Sequence, residues 1–130
     1  MGVRKRERAE QIKESKKTMY FAKLNNCPTS PRKMRLVADL VRGEKINKAL
    51  NILKFSPKEA SRRLETLLLS AIANWQAKNE EASVEDADLF VKEIRVDQGP
   101  TVKYMKPGAM GRSSIQKKRL CHIAVVLEKV

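Results

Sequence analysis

Two runs rich in Val, Ile and Leu, at 89–96 and 120–127, enclose residues 99–119, which read Gly-Pro-Thr-Val-Lys-Tyr-Met-Lys-Pro-Gly-Ala-Met-Gly-Arg-Ser-Ser-Ile-Gln-Lys-Lys-Arg. This stretch is too long for a tight turn, too poor in apolar residues for a core and too basic to lie neutral on a surface. Loops of such length inside a compact domain are uncommon and usually functional. The flanking runs are therefore expected to pair as antiparallel strands and to carry the pairing outward, so that about 97–119 forms the arm of one long hairpin. At a strand rise of roughly 3.3 Å, its outgoing half reaches about 30 Å from the domain. Pro107, Gly108 and Gly111 supply turn residues for the tip. Lys103, Lys106, Arg112, Lys117, Lys118 and Arg119 are opposed nearby only by Asp97, and Tyr104 offers a ring on which an unpaired base can stack.

The first run has a phase break with a defined remedy. Leu89 and Val91 share one phase while Ile94 and Val96 take the other, so a bulge near Lys92 and Glu93 is needed to turn all four inward. On the return run Cys121, Ile123, Val125 and Leu127 alternate cleanly. A further short strand is expected over 19–26, with Tyr20, Ala22 and Leu24 on one face.

Ser30 and Pro31 open a helix: the serine caps free N–H groups, and proline at the first position gives up no needed donor. Met34, Val37 and Val41 line its apolar face and Gly43 stops it. Ile46, Ala49, Leu50 and Leu53 predict a second helix over 46–54. Ser56 and Glu59 have the spacing of a capping box, with Pro57 at the first position, and so begin a third. Its broad apolar face, Ala60, Leu64, Leu67, Leu68, Ala71, Ile72 and Trp75, continues to about residue 78 and makes it the centre of the core. The acidic stretch 79–88 reads as the linker from helices to hairpin and as a surface that avoids RNA.

Charge narrows the function. Twenty-eight Lys and Arg against 15 Asp and Glu leave +13, an excess that repels itself unless phosphates neutralise it. Residues 1–18 form a basic extension in which Arg4, Lys5, Arg6, Arg8, Lys13, Lys16 and Lys17 are interleaved with Glu7, Glu10 and Glu14. This segment is either a helix laced by ion pairs such as Glu10 with Lys13, or a tail that RNA orders. Residues 19–130 read as a single domain. In the helix opened by Ser30, cations Arg32, Lys33 and Arg35 oppose the helix dipole at a cost of roughly 0.3–1 kcal/mol each. Residues 30–35 are therefore read as a site for an RNA backbone.

Other classes are disfavoured. No stretch nears the roughly 18 apolar residues of a membrane span, and no signal peptide is evident, so the chain is expected to be soluble and cytoplasmic. Arg6 stands where a myristoylation signal wants Ser or Thr. Cys27, Cys121 and His122 cannot make a four-ligand zinc site, and the cysteines read as small buried residues kept reduced, with a disulfide as the alternative, since sequence does not fix its geometry. His122 is read as a structural or RNA-contacting side chain. No nucleophile with its base, carboxylate pair or glycine-rich phosphate loop stands out, so neither catalysis, cofactor nor metal is expected.

Several dispersed motifs now fall in order: 30–43, reading Ser-Pro-Arg-Lys-Met-Arg-Leu-Val-Ala-Asp-Leu-Val-Arg-Gly; Ala49-Leu50 with Ile52-Leu53; 70–74, Ser-Ala-Ile-Ala-Asn; 96–100, Val-Asp-Gln-Gly-Pro; then Lys103, Pro107, Gly111-Arg112, Lys118-Arg119 and His122-Ile123. In order and spacing, over about 22–127, the chain resembles the bacterial form of the large ribosomal subunit protein twenty-two family. The resemblance implies an α+β fold, three helices on a small antiparallel sheet with a long extended hairpin, seated on 23S ribosomal RNA near the mouth of the nascent-peptide tunnel. It further implies that the hairpin runs inward to the tunnel wall, near a constriction shared with ribosomal protein four, and that the role is assembly and architecture.

On this reading the residues that meet RNA are Arg4, Lys5, Arg6, Arg8, Lys16, Lys17, Ser30, Arg32, Lys33, Arg35, Arg42, Lys103, Tyr104, Lys106, Arg112, Ser113, Lys117, Lys118, Arg119 and His122. The tunnel-lining tip comprises Met105, Lys106, Pro107, Gly108, Ala109, Met110 and Gly111. The implied partners are 23S rRNA, neighbouring large-subunit proteins and the nascent peptide, with no membrane and no second copy of the chain. The family often has Pro-Arg-Ala-Lys/Arg-Gly-Arg at the tip; here Gly108 and Met110 replace two cations, and Tyr104 stands where a basic residue is common, making the tip less positive. Trp75, where the family usually has a small residue, reads as core filling. A free-standing RNA- or DNA-binding chaperone is the alternative, and an RNA-modifying enzyme a distant third.

Overall fold

A computed structural model describes residues 2–79 and 87–129. The order is α1 (Val3–Thr18), β1 (Tyr20–Cys27), α2 (Pro31–Val41), α3 (Ile46–Phe55), α4 (Glu59–Gln76), β2 (Leu89–Pro107), a single 3-10 turn (Ala109–Gly111) and β3 (Ser113–Lys129). The three strands form one antiparallel sheet in the order β1-β3-β2. Helix α4 packs on β1 and β3, α2 on β2, and α3 against both helices. The fold is thus α+β, as the resemblance implies, with α1 as an added fourth helix.

One core lies between this helical layer and the inner face of the sheet. Met34, Val37 and Val41 of α2, Leu53 of α3, and Leu64, Leu68 and Trp75 of α4 meet Val91, Ile123 and Val125 there, each 2% exposed or less. Burying an aliphatic side chain of this size contributes about 1.5–3 kcal/mol. The break in phase on β2 is resolved as expected: the register shifts between Val91 and Glu93, and Leu89, Val91, Ile94 and Val96 are all buried. Trp75 meets Tyr20 edge to face at 6.3 Å, filling the end of the core.

Two caps differ from expectation. Ser30 is the N-cap of α2, yet its side chain makes no capping bond. Its carbonyl accepts from Lys33 N–H as well as from Met34 N–H, so of the two donors the hydroxyl serves in a cap, that of Lys33 is already engaged. The capping box is also absent, because α4 starts at Glu59 with Lys58 as N-cap. Ser56 ends α3 by donating its N–H to Leu53 O, its hydroxyl accepts the Lys58 N–H at 3.5 Å, and Pro57 favours extended backbone in the residue before it. Glu59 instead turns forward to Arg63, at 2.6 Å. Gly43 follows α2 with φ +79° and donates to Val91 O, tying the end of that helix to β2.

The basic extension is helical from Val3 to Thr18 with no buried residue. Its ion pair is Arg6 with Glu10 at 3.1 Å, rather than Glu10 with Lys13. Lys78 Nζ holds its C-terminal end by donating to Lys17 O and Met19 O, where a cation suits the helix dipole. Of the acidic stretch, residues 80–86 lie outside the described residues; Asp88, with φ +40°, pairs with Lys45 at 2.8 Å.

Candidate nucleic-acid interface

The arm is a regular ribbon rather than a loose loop. Beyond a second register shift between Gln98 and Thr101, β2 and β3 stay paired from Thr101↔Arg119 to Pro107↔Ser113. At its base Gly99 relieves a close approach, since a Cβ there would lie 3.1 Å from Leu120 O and 3.2 Å from His122 Nε2 and would press both back by a few tenths of an ångström. His122 is half-buried, and its Nδ1 accepts the Asn26 N–H at 3.0 Å, leaving Nε2 as the ring donor. Asn26 has φ +54° at the β1 irregularity between Leu24 and Cys27, so His122 braces a strained turn against the arm's root.

Along the ribbon the cations are exposed, and one pair of them meets across the strands. Lys103 faces Lys117 directly across the ladder, an arrangement that costs free energy without an external anion. Lys106, Arg112, Lys118 and Arg119 have no ion-pair partner among the described residues. Tyr104 is 49% exposed, and its hydroxyl donates to Gln116 Oε1 at 2.6 Å, which fixes the ring against the opposite strand. At the tip Gly108 N–H closes the turn on Arg112 O at 2.7 Å, with Gly111 at φ +70° and Met110, unusually for a side-chain-bearing residue, at φ +56°. Met110 is 95% exposed and Met105 68%, so the tip presents apolar side chains to its surroundings.

The second cluster, at the start of α2, divides in two. Arg32 and Lys33 are exposed with no side-chain bond among the described residues. Arg35 instead donates through Nε and Nη2 to Val96 O, and Arg42 through Nη2 to Ile94 O at 3.0 Å and through Nη1 to Asp39 at 2.6 Å. Because β2 is an edge of the sheet, its outward carbonyls need donors, and these two guanidinium groups supply them. Sequence reasoning did not find this role: it depends on which strand lies at the edge. Arg4, Lys5, Arg6, Arg8, Lys16 and Lys17 all lie on α1, exposed.

The cysteines are buried and free, and they are register partners across β1 and β3. Burial, with the Cys27 thiol beside it, pushes the Cys121 thiol up to about 11, so it holds its proton. Among the described residues no group of three or more His, Cys, Asp or Glu is placed to hold a metal ion.

The protein-family model described as ribosomal protein L22p/L17e matches residues 22–128. The chain belongs to that family. Among its relatives is large ribosomal subunit protein uL22 of Christiangramia forsetii, 71% identical over 127 residues that cover 98% of this chain and 94% of the relative. The uL22 proteins of Flavobacterium johnsoniae, at 64% over 127 residues (98% and 93%), and Flavobacterium psychrophilum, at 62% over 130 residues (100% and 95%), are similar in extent. The family is one of structural ribosomal proteins, not of enzymes. Helix α1 precedes the segment matched by the L22 family model, while the alignment with the Flavobacterium psychrophilum protein runs through it.

Proposed function

We propose that this member of the L22 family works as an architectural element of the large ribosomal subunit in the cytoplasm, binding 23S rRNA and supporting assembly. The observation that carries the reading is the arm: a paired ribbon, exposed along its length, whose six cations have no carboxylate partner among the described residues and two of which, Lys103 and Lys117, face each other. Phosphates are the counter-charge that removes this cost. Lys103, Lys106, Arg112, Lys117, Lys118 and Arg119 are assigned to RNA, with Ser113 and Tyr104 beside them, and Arg32 and Lys33 at the start of α2. Arg35 and Arg42 keep donors beyond those spent on β2 and sit at the same surface. The tip, Met105 to Gly111, is assigned to the tunnel wall, where Met110 and Gly108 offer the nascent peptide an apolar, weakly charged surface. Neighbouring large-subunit proteins complete the contacts.

Sedimentation tests this directly. The chain is expected to stay with large subunits through a high-salt wash; recovery chiefly in free fractions would favour a free-standing chaperone.

A further inference from the structure

On the side of the sheet away from the core, two rows cross all three strands. Phe21, Val126 and Glu93 are register partners in one, and Lys23, Ala124 and Arg95 in the next. The C-terminal half of α1 borders this face, so that Ile12 and Lys16 close one side of a crevice floored by Phe21, Ala124 and Val126. Small Ala124 leaves a trough between the two longer cations, whose strands stand about 10 Å apart across two strand spacings. Lys23 Nζ lies 5.6 Å from the Phe21 ring centroid, and Arg95 Nε lies 3.2 Å from Glu93 Oε1, the single carboxylate of the two rows. Lys16 has no ion-pair partner among the described residues.

We infer that this crevice seats one unpaired nucleotide of the RNA, with its base on the apolar floor and its phosphate held by Lys23, Arg95 and Lys16. The inference rests on the reading of the chain as an rRNA-binding protein and adds a site outside both the arm and the start of α2. An apolar floor with an aromatic side chain inside a cationic rim matches what an unstacked nucleotide presents, a flat apolar face joined to an anion. A duplex keeps its base faces stacked and offers phosphates alone, which would leave the floor bare. Net positive charge disfavours a basic peptide. One wall of the site comes from α1, so the extension that precedes the family-matched segment completes it.

Chemical probing of unpaired nucleotides in 23S rRNA, assembled with the full chain, tests the site. Two variants are used: Ala124→Phe, which fills the trough without changing charge, and Lys23→Gln with Arg95→Gln, which leaves the floor intact on exposed positions. A nucleotide protected by the unaltered chain should regain its reactivity with either variant, while protections owed to the arm persist. With the double variant, the log–log salt slope of binding should fall by about 0.7, the value for the one single-strand phosphate the site holds. Protections and slope unchanged by both variants would overturn the site and leave the rRNA reading standing. Loss of a neighbouring protein, with RNA protections intact, would overturn it in favour of a protein partner. No protection anywhere by the unaltered chain would overturn both readings together.

Discussion

Removing the arm should leave the domain folded and nearly as stable. Consider excision of residues 103–117, with Val102 joined to Lys118 through Asn-Gly, a pair suited to the two-residue turn of a hairpin. Five ladder pairs are lost, from Lys103↔Lys117 to Pro107↔Ser113, yet none of the excised residues is buried. Their hydrogen bonds are worth about 0.5–1.5 kcal/mol net, while fixing each backbone residue costs about 1–2 kcal/mol, so the two nearly cancel. Isolated two-stranded ribbons are marginal for this reason. The excision also takes away Lys103, Lys106, Arg112 and Lys117 and no carboxylate, lowering the formal charge by four from +13. Unfolding free energy by urea titration, followed by circular dichroism, should therefore change by no more than about 1 kcal/mol, with any gain largest at low salt. Truncating a core side chain such as Leu64 to Ala should instead cost about 2–5 kcal/mol. A loss above about 3 kcal/mol on arm excision, or a non-cooperative melt, would mean that the ribbon supports the core and would refute the argument.

Arg35→Ala removes both donors from Val96 O at the sheet edge and should cost about 1.5–3 kcal/mol in denaturant unfolding even with no RNA present; an unchanged midpoint would free this residue for RNA alone. Ser61 is 0% exposed and its hydroxyl has no partner among the described residues, so Ser61→Ala should stabilise the protein by about 1 kcal/mol in the same assay. Cys121 binds its proton more tightly folded than unfolded. Its contribution to stability is therefore complete below about pH 9 and lost as pH rises towards about 11. Cys121→Ala should flatten the alkaline fall in stability over that interval; an identical profile would remove the thiol from the explanation.

The sequence was most legible where one residue type admits one solution. The phase break on β2 demanded a bulge and has one, and the apolar faces of α2, α3 and α4 lie where their spacing puts them. Caps were less legible because side chains compete. Ser56 satisfies the spacing of a capping box, but the preceding helix ends on it and Pro57 keeps it extended. Contacts set by register were not legible at all. That Cys27 meets Cys121, that Lys23 and Arg95 flank Ala124, and that Arg35 and Arg42 serve β2 follow from strand order, which a linear chain does not display. The charge of the arm was evident from composition, whereas the direct opposition of Lys103 and Lys117 needed the ladder.

That ladder acts as a ruler. Its strands are counted out residue against residue from Thr101 to Pro107, so the height of Met110 above the sheet is set by sequence length and not by a flexible tether. Inserting one facing pair should lift the tip by about 3.3 Å and turn its side chains to the opposite faces, while two pairs should restore their orientation about 6.6 Å farther out. Chain length in this segment therefore selects both the depth the tip reaches and the side chains it offers on arrival.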